Sequence, residues 1–172
     1  MPFFAIALTF GVVGGGLTYA VAKAHLGRHP GRPVLLGLVW VWAAGVVSLT
    51  FGTRSGGGQA VNIALLDVGN PADIVDFLLN MALFLPGGVL FAALGCRWFT
   101  AGLFGFSGSL AIETTQYLVH SGRTSDLNDL LSNTLGCLVG FAVAALVGTA
   151  VGRSPEPSTT VEPSTTADLT SG

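Results

Sequence analysis

Between Ser109 and Gly136 the chain reads SLAIETTQYLVHSGRTSDLNDLLSNTLG, and Glu113, Gln116, His120, Arg123, Asp126 and Asp129 fall within seventeen residues of it. Carboxylates can move a proton or accept hydrogen bonds from hydroxyl and amide donors. A guanidinium pairs with phosphate or carboxylate, and a side-chain amide can orient either. On a helix, positions three, four and seven apart share a face. Ser109, Glu113, Gln116 and His120 therefore form one stripe, and Asp126, Asp129, Asn133, Gly136 and Gly140 form another. Asn80 stands alone in an earlier apolar run, followed at helical spacing by Phe84 and Gly87.

The elements that must position these groups are apolar. The 172 residues are 51% hydrophobic and 9% charged, with a mean hydropathy of +0.70. A soluble domain carries about 25% charged residues, so this chain cannot cover a water-facing surface. An all-α, polytopic membrane helical bundle is expected. A net charge of -2 and the lack of a basic patch exclude nucleic acid as a partner. The opening MPFFAIALTFGVVGGG has no positive n-region and reads as a retained first span. Cys96 and Cys137 fall at a helix end and inside a span, and read as small packing residues.

A helical span needs roughly 20 apolar residues. Five runs qualify: Phe3 to Ala22, Val34 to Phe51, Phe77 to Leu94, Phe99 to Leu118, and Leu127 to Val151. Lys23, Arg28, Arg32, Arg97 and Arg153 would lie on one side, and Arg54 and Arg123 on the other. Short-loop Lys and Arg favour the cytoplasm, which predicts the N-terminus outside and the C-terminus inside. Residues 60–75 are half apolar and suit the membrane interface. The transmembrane domain is expected over residues 1–152. From residue 153 the chain turns to Pro, Ser and Thr, with EPSTT occurring twice, and is expected to be disordered.

This topology brings three polar groups to one depth. At about 1.5 Å per residue, Glu113 lies roughly 7 Å inside the outer end of its span, Asn80 about 6 Å inside its own, and Asn133 about as far below Asp129. A carboxylate at the centre of a membrane helix costs roughly 2.5–3.5 kcal/mol, less toward the interface. Glu113 should therefore face the bundle and hold a partner, and Gln116, Asn80, Asn133 and Arg123 can each donate to it. The plain alternative is that Glu113 and Asn133 are interhelical glue, worth around 0.6 kcal/mol per contact. The carboxylate with its flanking His, Arg and Asp residues favours a site. Asn80, Glu113, Gln116, Arg123, Asp126, Asp129 and Asn133 would bind the ligand, and Glu113 is the candidate for catalysis.

Other patterns carry less. GVVGGG, Gly11 to Gly16, lacks the Lys and Ser/Thr of a phosphate-binding loop. Gly11/Gly15, Gly136/Gly140 and Gly148/Gly152 read as close helix packing. One histidine with scattered carboxylates has poor metal-ligand spacing, so no metal and no cofactor is expected. Ser109 is three turns from His120, too far for a nucleophile–base pair.

NMALFLPGGVLF, followed by E-x2-Q, an arginine loop and D-x2-D-x3-N-x2-G, resembles the VanZ-like membrane protein family. The matching residues are Asn80, Phe84, Pro86 and Gly88; Glu113 and Gln116; Arg123; and Asp126, Asp129, Asn133 and Gly136. The resemblance covers residues 76–141; the first two spans and the tail carry none of it. The family's namesake is associated with low-level resistance to the glycopeptide antibiotic teicoplanin. The resemblance thus implies a bacterial cytoplasmic-membrane protein with an envelope-related role.

Three functions stay open. A non-catalytic envelope protein would bind an amphiphile, a lipid-linked cell-wall precursor or a lipoglycopeptide, entering from membrane lipid, with Arg123 on its phosphate or carboxylate. A membrane-embedded hydrolase or transferase would use Glu113 as acid or base on an envelope lipid. A transporter needs a polar path across the membrane, and here the polar groups stop in the outer half, so only a homo-oligomer would supply one. Homo-oligomerisation itself stays open.

Overall fold

The computed structural model describes residues 2–25, 31–52, 61–118 and 125–151. Within them lie five helices: α1 (Pro2–His25), α2 (Gly31–Gly52), α3 (Pro71–Ala93), α4 (Trp98–Leu118) and α5 (Leu127–Val151). Two-residue strands precede α3 and α5: β1 (Val61–Asn62) and β2 (Ser125–Asp126). The fold is all-α and the chain is a multi-pass membrane protein. Four helices are long and apolar enough to cross a bilayer: Ala7–His25, Gly31–Phe51, Pro71–Ala93 and Leu127–Ala150. With 21 residues α4 has the length but not the apolarity, because its Ser, Thr, Gly, Glu and Gln residues stand where a lone span would carry aliphatic ones. Its polar stripe is tolerated by being turned inward onto α5.

The third helix begins six residues before the expected Phe77. Asn70 caps it: its Oδ1 accepts the Ala72 N–H at 3.1 Å, and Pro71 occupies a first-turn position where a missing N–H costs little. Residues 71–75 of the expected interfacial segment are therefore helical. Residues 61–70 lead into them, and β1 pairs in parallel with β2, Val61 opposite Ser125 and Asn62 opposite Asp126. The tail from residue 153 lies outside the described residues.

In lipid, helices associate through van der Waals packing and interhelical hydrogen bonds, and glycines set how close the backbones come. The antiparallel pair α1 and α2 meets where Gly11 faces Ala44 and Gly15 faces Gly37. The parallel pair α3 and α5 is tighter. A Cβ on Gly88 would overlap the Cys137 carbonyl, and one on Gly136 or Gly140 the carbonyl of Met81 or Leu85. Gly148 differs from the expectation, because a Cβ there would meet no neighbouring helix within 4 Å. Antiparallel to α5 on its other side runs α4, with Gly105 against Cys137 and Thr134.

Trp42 joins α2 to this trio. Its Nε1–H donates to the Leu83 carbonyl at 2.9 Å, and its ring lies over Gly87 and edge-on to Phe84 at 5.7 Å. Pro86 removes the N–H that would have reached the Ala82 carbonyl; the indole bonds the neighbouring carbonyl of the same turn, tying α2 to α3 where the proline interrupts the ladder. Val46, Phe84 and Cys137 form the buried core, flanked by Trp42, Leu83 and Ile112.

Candidate functional site

The starts of α3 and α5 and the end of α4 meet at one end of the bundle. The stripe of α4 is buried against α5: Ser109 is fully enclosed, Gln116 is 1% exposed and Glu113 6%. Small residues allow this, since Gly105 lets α5 approach one turn away from Ser109. Burial of a glutamate requires an acceptor role to be filled, and the Asp126 backbone N–H fills one, donating to Glu113 Oε2 at 3.0 Å.

Asp126 in turn caps α5. Its Oδ1 accepts the Asn128 N–H at 2.8 Å, as a residue at this position does when it satisfies one of the first helical amides. Asp129 is reached from α3, where Asn80 Nδ2 donates to Asp129 Oδ1 at 2.6 Å. One turn deeper, Asn133 is 5% exposed and its Nδ2 donates to Ser109 Oγ at 2.9 Å. Ser109 Oγ lies 3.4 Å from the Asp129 carbonyl.

The expected donors to Glu113 are thus partly redistributed. Asn80 serves Asp129 and Asn133 serves Ser109. The glycine-lined contact that holds α3 directly against α5 brings Asn80 within reach of Asp129. Asn80, Glu113, Gln116, Asp126, Asp129 and Asn133 are all at this end of the bundle, whereas Arg123 and His120 lie outside the described residues.

Two contributors were not singled out in the sequence. Asn128 Nδ2 donates to the Ala64 carbonyl at 2.9 Å, tying the chain after β1 to the first turn of α5. Ser132, fully buried, donates to the Asp129 carbonyl at 3.1 Å. The Asn128 contact had a faint signal, the cap pattern SDLND before an apolar run. Its partner 64 residues away had none.

Charge is segregated along the bundle. The described acids, Asp67, Asp73, Asp76, Glu113, Asp126 and Asp129, are at the site end; the described cations, Lys23, Arg32 and Arg97, are at the opposite end. Among the described residues no group of three or more His, Cys, Asp and Glu side chains has the arrangement to hold a metal ion. Chemically, the arrangement offers acceptors to hydroxyl, amide or ammonium donors.

A sequence model described as VanZ/LLP1 matches residues 34–148, two thirds of the chain. The match is wider than the motif-bearing stretch 76–141. It takes in α2, where the sequence showed no resemblance and where Trp42 makes the hydrogen bond to α3. No curated protein and no solved structure matches the chain.

Proposed function

The chain belongs to the VanZ/LLP1 family, and from that premise we propose that the site end faces outward from a bacterial cytoplasmic membrane and holds the polar head of an amphiphile. The ligand is a lipid-linked wall precursor or a glycopeptide antibiotic of the teicoplanin type. The observation that carries this reading is the convergence of Asn80, Glu113, Asp126, Asp129 and Asn133 from three helices onto one end of an otherwise apolar bundle. Such heads are rich in hydroxyl and amide donors, and the site is rich in acceptors. Asn133 Oδ1 is buried and receives no hydrogen bond from the described residues, and a ligand donor or a bridging water would supply one. Arg123 would take the phosphate or carboxylate of the head.

The placement of Lys23, Arg32 and Arg97 at the opposite end supports the outward orientation through the loop-charge rule. Catalysis by Glu113 is the less favoured reading, because its Oε2 is engaged by the Asp126 N–H, a fixing role rather than one in proton transfer.

The test is binding in lipid nanodiscs. Wild type, Glu113→Gln and Asp129→Asn are titrated with teicoplanin and with a lipid-linked disaccharide–peptide precursor. Saturable binding by the wild type, weakened roughly tenfold or more in the variants (about 1.4 kcal/mol) at unchanged helix content, is expected. Equal affinities in all three proteins, or no binding of either amphiphile, would overturn the assignment.

A further inference from the structure

Residues 61–70 join the membrane surface to the polar site. Ile63, Leu65 and Val68 are 78%, 71% and 77% exposed, a dense run of aliphatic surface for a loop. The 23 residues of the α3 span cover about 34 Å at 1.5 Å each, slightly more than the roughly 30 Å hydrocarbon core. Asp73 and the exposed Asp76 stand in the first two turns of α3, where a charge is tolerated only outside the hydrocarbon, so the core begins below them and the loop before Pro71 lies on the headgroup side. On α3, Val75, Leu78 and Leu79 are exposed, with the exposed Asp76 between them; below that carboxylate Leu78 and Leu79 enter the hydrocarbon.

Backbone polarity does not bar this segment from the interface. Its turn is satisfied within itself: Gly69 N–H donates to Asp67 Oδ1 at 2.8 Å, Asn70 N–H to the Asp67 carbonyl at 3.0 Å, and Asn70 Nδ2 to Asp73 Oδ1 at 2.8 Å. The Ala64 carbonyl is taken by Asn128. What projects is therefore apolar, while the polar groups of the turn are paired. The segment's one described charge is the acid Asp67, so attraction to anionic headgroups cannot be what seats it, and burial of apolar surface must be.

We propose that residues 61–70 are an interfacial strap: Ile63, Leu65 and Val68 insert at the boundary between headgroups and acyl chains, and that seating holds the start of α5 in place. The connection is direct. Asn62 pairs with Asp126, whose N–H bonds Glu113, and Asn128 grips the Ala64 carbonyl. The bilayer is thereby a structural partner of the polar site, and the inference stands whether or not the site binds a wall precursor.

Depth-resolved fluorescence tests it in the full chain. Ile63→Cys, Leu65→Cys and Val68→Cys are made in a Cys96→Ser background, with the buried Cys137 retained. Each is labelled with a nitrobenzoxadiazole dye and reconstituted in phosphatidylcholine vesicles; Leu79→Cys gives the lipid-embedded reference. Blue-shifted emission, quenched more by a lipid with a shallow nitroxide than by aqueous iodide, is expected. Quenching by iodide to the level of free dye would overturn the proposal, as would protection from both quenchers, which would mean a protein cover. Asn128→Ala should raise iodide quenching at position 65. Unchanged quenching in that variant would sink the coupling to α5. Because no ligand is involved, failure here is distinct from failure of the binding assignment.

Discussion

Glu113 on α4 holds the first residue before α5: its Oε2 accepts the Asp126 N–H at 3.0 Å, across thirteen positions of sequence. Asp126 caps α5, and the carboxylate of Glu113 accepts the cap residue's own N–H, as the glutamate of a capping box does, but from a different helix. Removing it leaves a donor without its partner in a poorly hydrated place. Glu113→Ala should destabilise the protein by about 1–3 kcal/mol, and Glu113→Gln, which keeps an oxygen, by less. Thermal unfolding in detergent micelles orders the three proteins. An alanine variant as stable as wild type would remove the capping role.

Asn80 and Asp129 are joined at 2.6 Å between α3 and α5. Hydrogen bonds between membrane helices average around 0.6 kcal/mol and reach about 1.7. A double-mutant cycle of Asn80→Ala and Asp129→Ala should give a coupling toward the upper part of that range, since one partner is a carboxylate. Additive single effects would show that the pair contributes no net stability.

The seam between α3 and α5 depends on missing side chains. Gly136→Ala and Gly140→Ala would drive a methyl into the Met81 and Leu85 carbonyls, and neither backbone can yield without separating the helices. Both should destabilise by several kcal/mol, in keeping with overpacking. Gly108→Ala, with nothing within 4 Å, should be neutral or stabilising by about 0.5–1 kcal/mol. Accumulation and melting temperature of the three variants decide the matter, and equal behaviour would contradict the packing.

Trp42 Nε1–H meets the Leu83 carbonyl at 2.9 Å. Trp42→Phe keeps an aromatic ring against Gly87 and Phe84 but loses the donor. A cost of about 0.5–1.5 kcal/mol is expected, read as a lowered melting temperature. A melting temperature equal to wild type would show that the indole hydrogen bond contributes no net stability.

Sidedness follows from the charge distribution. Single cysteines at Ser121, in the arginine-bearing stretch of sequence before β2, and at Gly31, in a chain lacking Cys96 and Cys137, should label with an impermeant maleimide on intact cells at position 121 and not at 31. The reverse pattern would turn the polar site to the cytoplasm and end the envelope-ligand reading.

The sequence by itself determined the class, the number of helices and which stripes of α4 and α5 are polar. Composition forbids a soluble surface, and a period of 3.6 residues fixes that Ser109, Glu113 and Gln116 share a face whatever that face meets. It also placed α5, Leu127 to Val151, with both ends as observed, because an apolar run bounded by polar residues has little freedom in lipid. Partnership was decided only by the tertiary structure. Whether Asn80 serves Glu113 or Asp129 depends on the glycine contacts that bring α3 to α5. That residues 61–70 pair with the start of α5 depends on contacts 64 residues apart. Local patterns encode faces and caps, whereas the choice among equally good acceptors is made by which backbones can approach, a property of the packed bundle rather than of any one helix.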